Sequence, residues 1–112
     1  MSDDGFIELH EVHELDEFLS HSGDQPVILF KHSNSCMISS RARRQMAQLE
    51  KPVAMVTVQK ARALSNEIES RFSLPHETPQ VLVVRDGKLA WSASHFKITA
   101  DAVNLALEQP AQ

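Results

Sequence analysis

The run Val27-Ile28-Leu29-Phe30 is apolar at every position, so an extended chain there is hydrophobic on both faces. A strand of that kind has to be covered from two sides, which places it inside a sheet with helices on each face. The rest of the chain has to be arranged about it. Upstream, Val12, Leu15, Phe18 and Leu19 recur at helical spacing among acids, so Glu11 to Ser20 reads as an amphipathic helix. Gly23-Asp24-Gln25-Pro26 breaks the chain before the strand begins. Downstream, Lys31-His32-Ser33-Asn34-Ser35 is polar and rich in residues that cap helices. A helix therefore starts at or next to Cys36, with Ile38, Ala42, Met46 and Leu49 on one face.

Val53 to Val58 is β-branched and mostly apolar, a second strand. A helix follows from about Ala61 to Phe72, with Leu64, Ile68 and Phe72 turned inward, and then a loop from Ser73 to Pro79. Gln80 to Arg85 and Lys88 to Ser94 form a hairpin about Asp86-Gly87, a strong turn signal. Thr99 caps a last helix carrying Ala102, Val103, Ala106 and Leu107 on one side. A strand–helix–strand unit is parallel and right-handed, and a hairpin is antiparallel. The expected fold is therefore α/β, a four-stranded mixed sheet flanked by helices on both faces. This is the thioredoxin or glutaredoxin layout, formed as a single domain over residues 1–112.

Composition narrows the function. A net charge of −4 argues against a nucleic-acid partner. The longest apolar run is too short to cross a bilayer, and the acidic start Met1-Ser2-Asp3-Asp4 has no apolar segment of a signal peptide. The single cysteine cannot form an internal disulfide. Together these lead to the expectation of a reducing cytoplasm.

Cys36 is the first residue that can do chemistry. Free N–H groups at a helix start favour an anion, so a thiol placed there is set up to react as thiolate. A buried structural cysteine is the plainer alternative, and it fits poorly beside polar Ser33-Asn34-Ser35. Ser39 completes a Cys-x-x-Ser spacing and shares a helix face with Cys36, where its hydroxyl can donate to the thiolate. Thr78-Pro79 precedes a strand, a place suited to a cis peptide. In thioredoxin-like folds such a proline lies beside the cysteine and offers backbone to a bound partner. Lys31 and His32 lead into the cysteine loop and can add positive charge near it. Arg41, Arg43 and Arg44 form a small basic cluster, a composition most often seen on a solvated helix face. His76 precedes the proline closely enough to approach Cys36. The histidines have no recognisable ligand spacing, so no metal is expected.

Several separated segments resemble one family. Phe30-Lys31-His32-Ser33-Asn34-Ser35-Cys36-Met37-Ile38-Ser39 is similar to the active-site segment of the monothiol bacilliredoxins. Leu64-Ser65-Asn66-Glu67-Ile68, His76-Glu77-Thr78-Pro79-Gln80 and Asp86-Gly87-Lys88 with Trp91 and Ala93-Ser94-His95 resemble further family segments, in order, from about Val27 to Leu107. The resemblance implies a thioredoxin fold, a cytoplasmic setting, a link to redox stress and removal of bacillithiol from mixed disulfides on client proteins. Carried over, Cys36 is the attacking thiol and Thr78 with Pro79 lines the partner groove. The chain departs from the family at Met37, where proline is usual, and at Ser73, where glycine is usual.

The leading expectation is thus a thiol-disulfide oxidoreductase with a low-molecular-weight thiol as co-substrate and no bound cofactor. Bacillithiol is its expected small thiol, and Lys31 and Arg41 are the cations expected to read its malate carboxylates. Two alternatives stay open. One is a module lending its thiolate to a shared iron–sulfur cluster. The other is a stress-response adaptor whose thiol only senses oxidants.

Overall fold

The computed structural model describes residues 5–109. Its elements are β1 (Phe6–Glu8), α1 (Val12–Ser20), β2 (Val27–His32), α2 (Met37–Met46), β3 (Val53–Thr57), α3 (Arg62–Phe72), β4 (Gln80–Arg85), β5 (Lys88–Ser94), a 3-10 turn (His95–Lys97) and α4 (Ala100–Glu108). The sheet order is β1-β3-β2-β4-β5. β2 runs parallel to β3 and antiparallel to β4, which lies antiparallel to β5. The four expected strands are all present, and a fifth corrects the count. β1 pairs parallel with β3, Phe6 opposite Val53 and Glu8 opposite Met55. Three residues are too few to display an alternation, so this strand exists only through a partner far along the chain.

The apolar run of β2 is buried as its sequence requires. Ile28 and Phe30 share one face with Val81 and Val83, covered by Ala42 and Met46 of α2 and by Val103 and Ala106 of α4. Leu29 faces the other way with Leu82 and Val84, beneath Leu15 of α1 and Leu64, Ile68 and Phe72 of α3. Ile28, Leu29 and Phe30 are all fully buried. At about 25 cal/mol per Å2 each such side chain contributes about 1.5–3 kcal/mol.

Local signals set the element ends. Helix α1 starts with a capping box, in which the Glu14 carboxylate accepts the Glu11 N–H at 2.9 Å. In α4 the Thr99 hydroxyl accepts the Ala102 N–H at 3.1 Å. The hairpin turns at Asp86 and Gly87 with φ of 55° and 74°, a backbone that suits the twist of the flanking strands. Helix α3 ends on Ser73 in the left-handed region, φ 50° and ψ 44°. That is the conformation in which glycine is favoured, and this chain carries serine there. The Thr78-Pro79 bond is cis, as expected. Lys31 of β2 pairs with Gln80 of β4. This register brings the proline loop and the loop leading to Cys36 to the same end of the sheet.

Candidate functional site

Cys36 is the N-cap of α2 and is partly exposed. Its carbonyl accepts the Ser40 N–H at 3.0 Å, so the helix begins directly after it. The thiol thus stands where the first amides of α2 lack partners in the helix, a setting that favours negative charge. The side chain of Gln59, from the turn after β3, holds the loop before the cysteine. Its amide nitrogen donates to the Ser33 hydroxyl at 2.8 Å and the Ser35 hydroxyl at 3.2 Å, and its oxygen accepts the Asn34 N–H at 3.2 Å. Sequence reasoning missed Gln59, because no spacing relates it to a loop 25 residues earlier.

Beneath the loop lies a buried polar pair. The Ser39 hydroxyl oxygen is 2.8 Å from His32 Nδ1 and accepts the Ser33 N–H at 2.9 Å. Ser39 is fully buried and His32 is 5% exposed. The expected hydrogen bond from Ser39 to the thiolate does not form here, since the hydroxyl is used to fix His32 and the loop. Burial pushes the His32 pKa down, nearby Arg43 pushes the same way, and Glu8 and the Ser39 bond oppose them. His32 therefore stays neutral at neutral pH and supplies the site with a hydrogen-bonding ring rather than a charge.

Lys31 behaves differently from the expectation as well. Side chains alternate along a strand, so Lys31 shares the Leu29 face, under α1 and α3, while α2 and Cys36 lie on the other. It is fully buried, and its ammonium has no hydrogen-bond partner among the described residues. Burial lowers its pKa, which Glu69 partly opposes. The Oε1 atom of Gln80, its cross-strand neighbour, is likewise buried with no partner among the described residues. His76 turns toward the same side, its Nδ1 3.4 Å from the Ser65 hydroxyl and its N–H donating to Glu69 at 3.1 Å.

Arg41 is exposed on α2, its guanidinium 5.7 Å from the centroid of the Phe96 ring. Phe96 is 63% exposed and Met37, directly after the cysteine, 88%. Thr78 is half-buried and Pro79 buried, and the Pro79 carbonyl accepts the His95 N–H at 3.1 Å. Among the described residues no three histidine, cysteine or acidic side chains converge to hold a metal, and no helix is long and apolar enough to cross a membrane.

The arrangement offers one partly exposed thiol at a helix start, a hydrogen-bonded polar loop before it, a cis-proline loop at the same sheet end and exposed apolar side chains at Met37 and Phe96. The family described as monothiol bacilliredoxin BrxC matches residues 7–103. A solved structure described as a proposed oxidoreductase with a thioredoxin fold superposes with a TM-score of 0.87 at 25% identity, over 93% of this chain and 95% of that one. A thioredoxin mutant from Halobacterium salinarum NRC-1 gives 0.74 at 17% identity, over 100% and 98% of the two chains. Fasciola hepatica thioredoxin gives 0.72 at 13%, over 89% and 94%. The last two bear on the fold alone, which is that of thioredoxin.

Proposed function

The chain belongs to the monothiol bacilliredoxin family, and from that premise we propose that it strips a low-molecular-weight thiol, bacillithiol first among candidates, from mixed disulfides on client proteins. The observation that carries this reading is the placement of the chain's only thiol, partly exposed, at the N-cap of α2. The Cys36 thiolate attacks the small-thiol sulfur of the mixed disulfide. A new disulfide forms between Cys36 and the small thiol, the old one breaks, and the client leaves as a thiolate. A second small-thiol anion then attacks the adduct, giving the small-thiol disulfide and returning Cys36 as thiolate. No internal disulfide can resolve the intermediate, because the chain has no second cysteine.

The other residues act in supporting roles under this reading. Ser39 and His32 are positioning residues that hold the loop before the thiol. Thr78 presents backbone to the client beside Pro79, with exposed Met37 and Phe96 as apolar contacts. Arg41 stays available at the rim. Lys31 lies inside the sheet and is not a surface cation.

The test uses one client carrying either bacillithiol or glutathione in mixed disulfide. Release of the small thiol by wild type, with the adduct appearing on Cys36 by mass spectrometry and none with Cys36→Ser, is the expected result. Retention of the adduct on the client at the uncatalysed rate would overturn it. Faster release of glutathione than of bacillithiol would leave the reaction and remove the named co-substrate.

A further inference from the structure

The two cations singled out from the sequence as readers of carboxylates are placed otherwise. Lys31 is inside the sheet, and Arg41 lies over Phe96. A hollow of about 490 Å3 opens instead on the β1–β3 side of α2, with Asn34, Ser40, Arg43, Arg44, Lys60 and Glu8 among its lining residues. That volume suits a small ligand. Asn34 stands two residues before Cys36 and Ser40 one helical turn after it, so the hollow begins at the cysteine loop. Three of its lining side chains are cations and one is an acid. Glu8 is bound by the Thr57 hydroxyl at 3.4 Å. Arg43 lies over the Phe6 ring at 5.1 Å. Among the described residues no hydrogen bond or ion pair engages the Arg44 guanidinium or the Lys60 ammonium.

On a chain of net charge −4, a cationic hollow that begins at the cysteine loop is a local reversal of the overall field. A similar hollow of about 500 Å3 along β1 and α1 has Glu8, Glu14 and Glu17 among its lining residues and no lysine or arginine. The geometry points to the Arg43–Arg44–Lys60 hollow as the seat for the anionic end of the small thiol, a dicarboxylate, while its sulfur reaches Cys36. This assignment rests on the proposed function. Arginine supplies paired donors to a carboxylate, and Lys60 adds a second positive centre from the other wall.

Two measurements on the whole chain test it. In the first, malate, a dicarboxylate without sulfur, is titrated into 15N-labelled protein. Shifts of the Asn34, Ser40, Arg44 and Lys60 amides are expected, and shifts confined to the proline loop overturn the assignment. In the second, Cys36 reacts with a dianionic aromatic disulfide, 5,5′-dithiobis(2-nitrobenzoate), and with neutral 2,2′-dithiodipyridine. In Arg44→Gln/Lys60→Gln the ratio of anionic to neutral rate falls about five- to tenfold at low salt, and added salt lowers the wild-type ratio in the same direction. A variant that fails to fold changes the neutral rate too and is recognised by it. A double variant with the wild-type ratio and wild-type client release overturns the hollow and leaves the proposed function standing. Malate shifts at the hollow in a protein that frees no small thiol from clients defeat the proposed function, and the assignment falls with it.

Discussion

Ser39→Ala removes one oxygen and leaves two buried groups without their partner. The Ser33 N–H donates to that oxygen at 2.9 Å and His32 Nδ1 lies 2.8 Å from it, all three residues being buried. A buried polar group left unsatisfied costs about 1–3 kcal/mol. Two of them cost about 2–6 kcal/mol, less roughly 0.5 kcal/mol for the better helix propensity of alanine within α2. Partial relaxation of the loop brings the expected loss to about 1.5–4 kcal/mol, a large share of the 5–15 kcal/mol typical of a domain. In urea, with a slope of about 1.5 kcal/mol per M for a chain of this size, the midpoint falls by about 1–2.5 M at unchanged slope. Equilibrium unfolding followed by the fluorescence of Trp91 reads this directly. A midpoint within about 0.3 M of wild type would show that the pair is not holding the loop, and the positioning role assigned to Ser39 and His32 would go with it.

Lys31→Met replaces a buried, unpartnered ammonium with an apolar side chain of similar length, and the urea midpoint is expected to rise by the equivalent of about 1 kcal/mol or more; a fall would mean that the ammonium has a partner on this face. Ser73→Gly relieves a left-handed backbone position, φ 50°, and is expected to stabilise by about 0.5–1 kcal/mol, with calorimetry showing a higher melting temperature. His32 has a folded pKa below its unfolded value of about 6.5, first through burial and then through Arg43. The unfolded chain therefore binds the proton more readily, so stability is complete above about pH 6.5 and is lost as pH falls from there through the folded pKa. NMR titration of the His32 ring checks this, and a midpoint at or above 6.5 contradicts it. Cys36→Ala is expected to abolish small-thiol transfer while the urea midpoint moves by less than about 1 kcal/mol equivalent, since the thiol is only partly buried; transfer surviving the substitution refutes the assignment of the attacking group.

The chain's own pattern was enough for the layered architecture, because each signal there is local. Four consecutive apolar residues in β2 require cover on two faces, Asp86-Gly87 closes a hairpin by itself, and Thr99 caps its helix three residues ahead. The position of Cys36 at a helix start followed in the same way from the polar loop before it. What only the tertiary structure decided depends on partners distant in sequence or on which side of the sheet a residue falls. β1 has no identity apart from Val53–Met55. Gln59 reaches back to Ser33 and Ser35 across the end of the sheet. Lys31 and His32 are adjacent and both polar, and on the sequence they look like equal neighbours of the thiol. Strand alternation separates them: His32 turns toward α2 and Ser39, and Lys31 turns into the opposite core. The same limit hid the cationic hollow, since Arg44 and Lys60 come from different elements and meet only when α2 packs beside the end of β3.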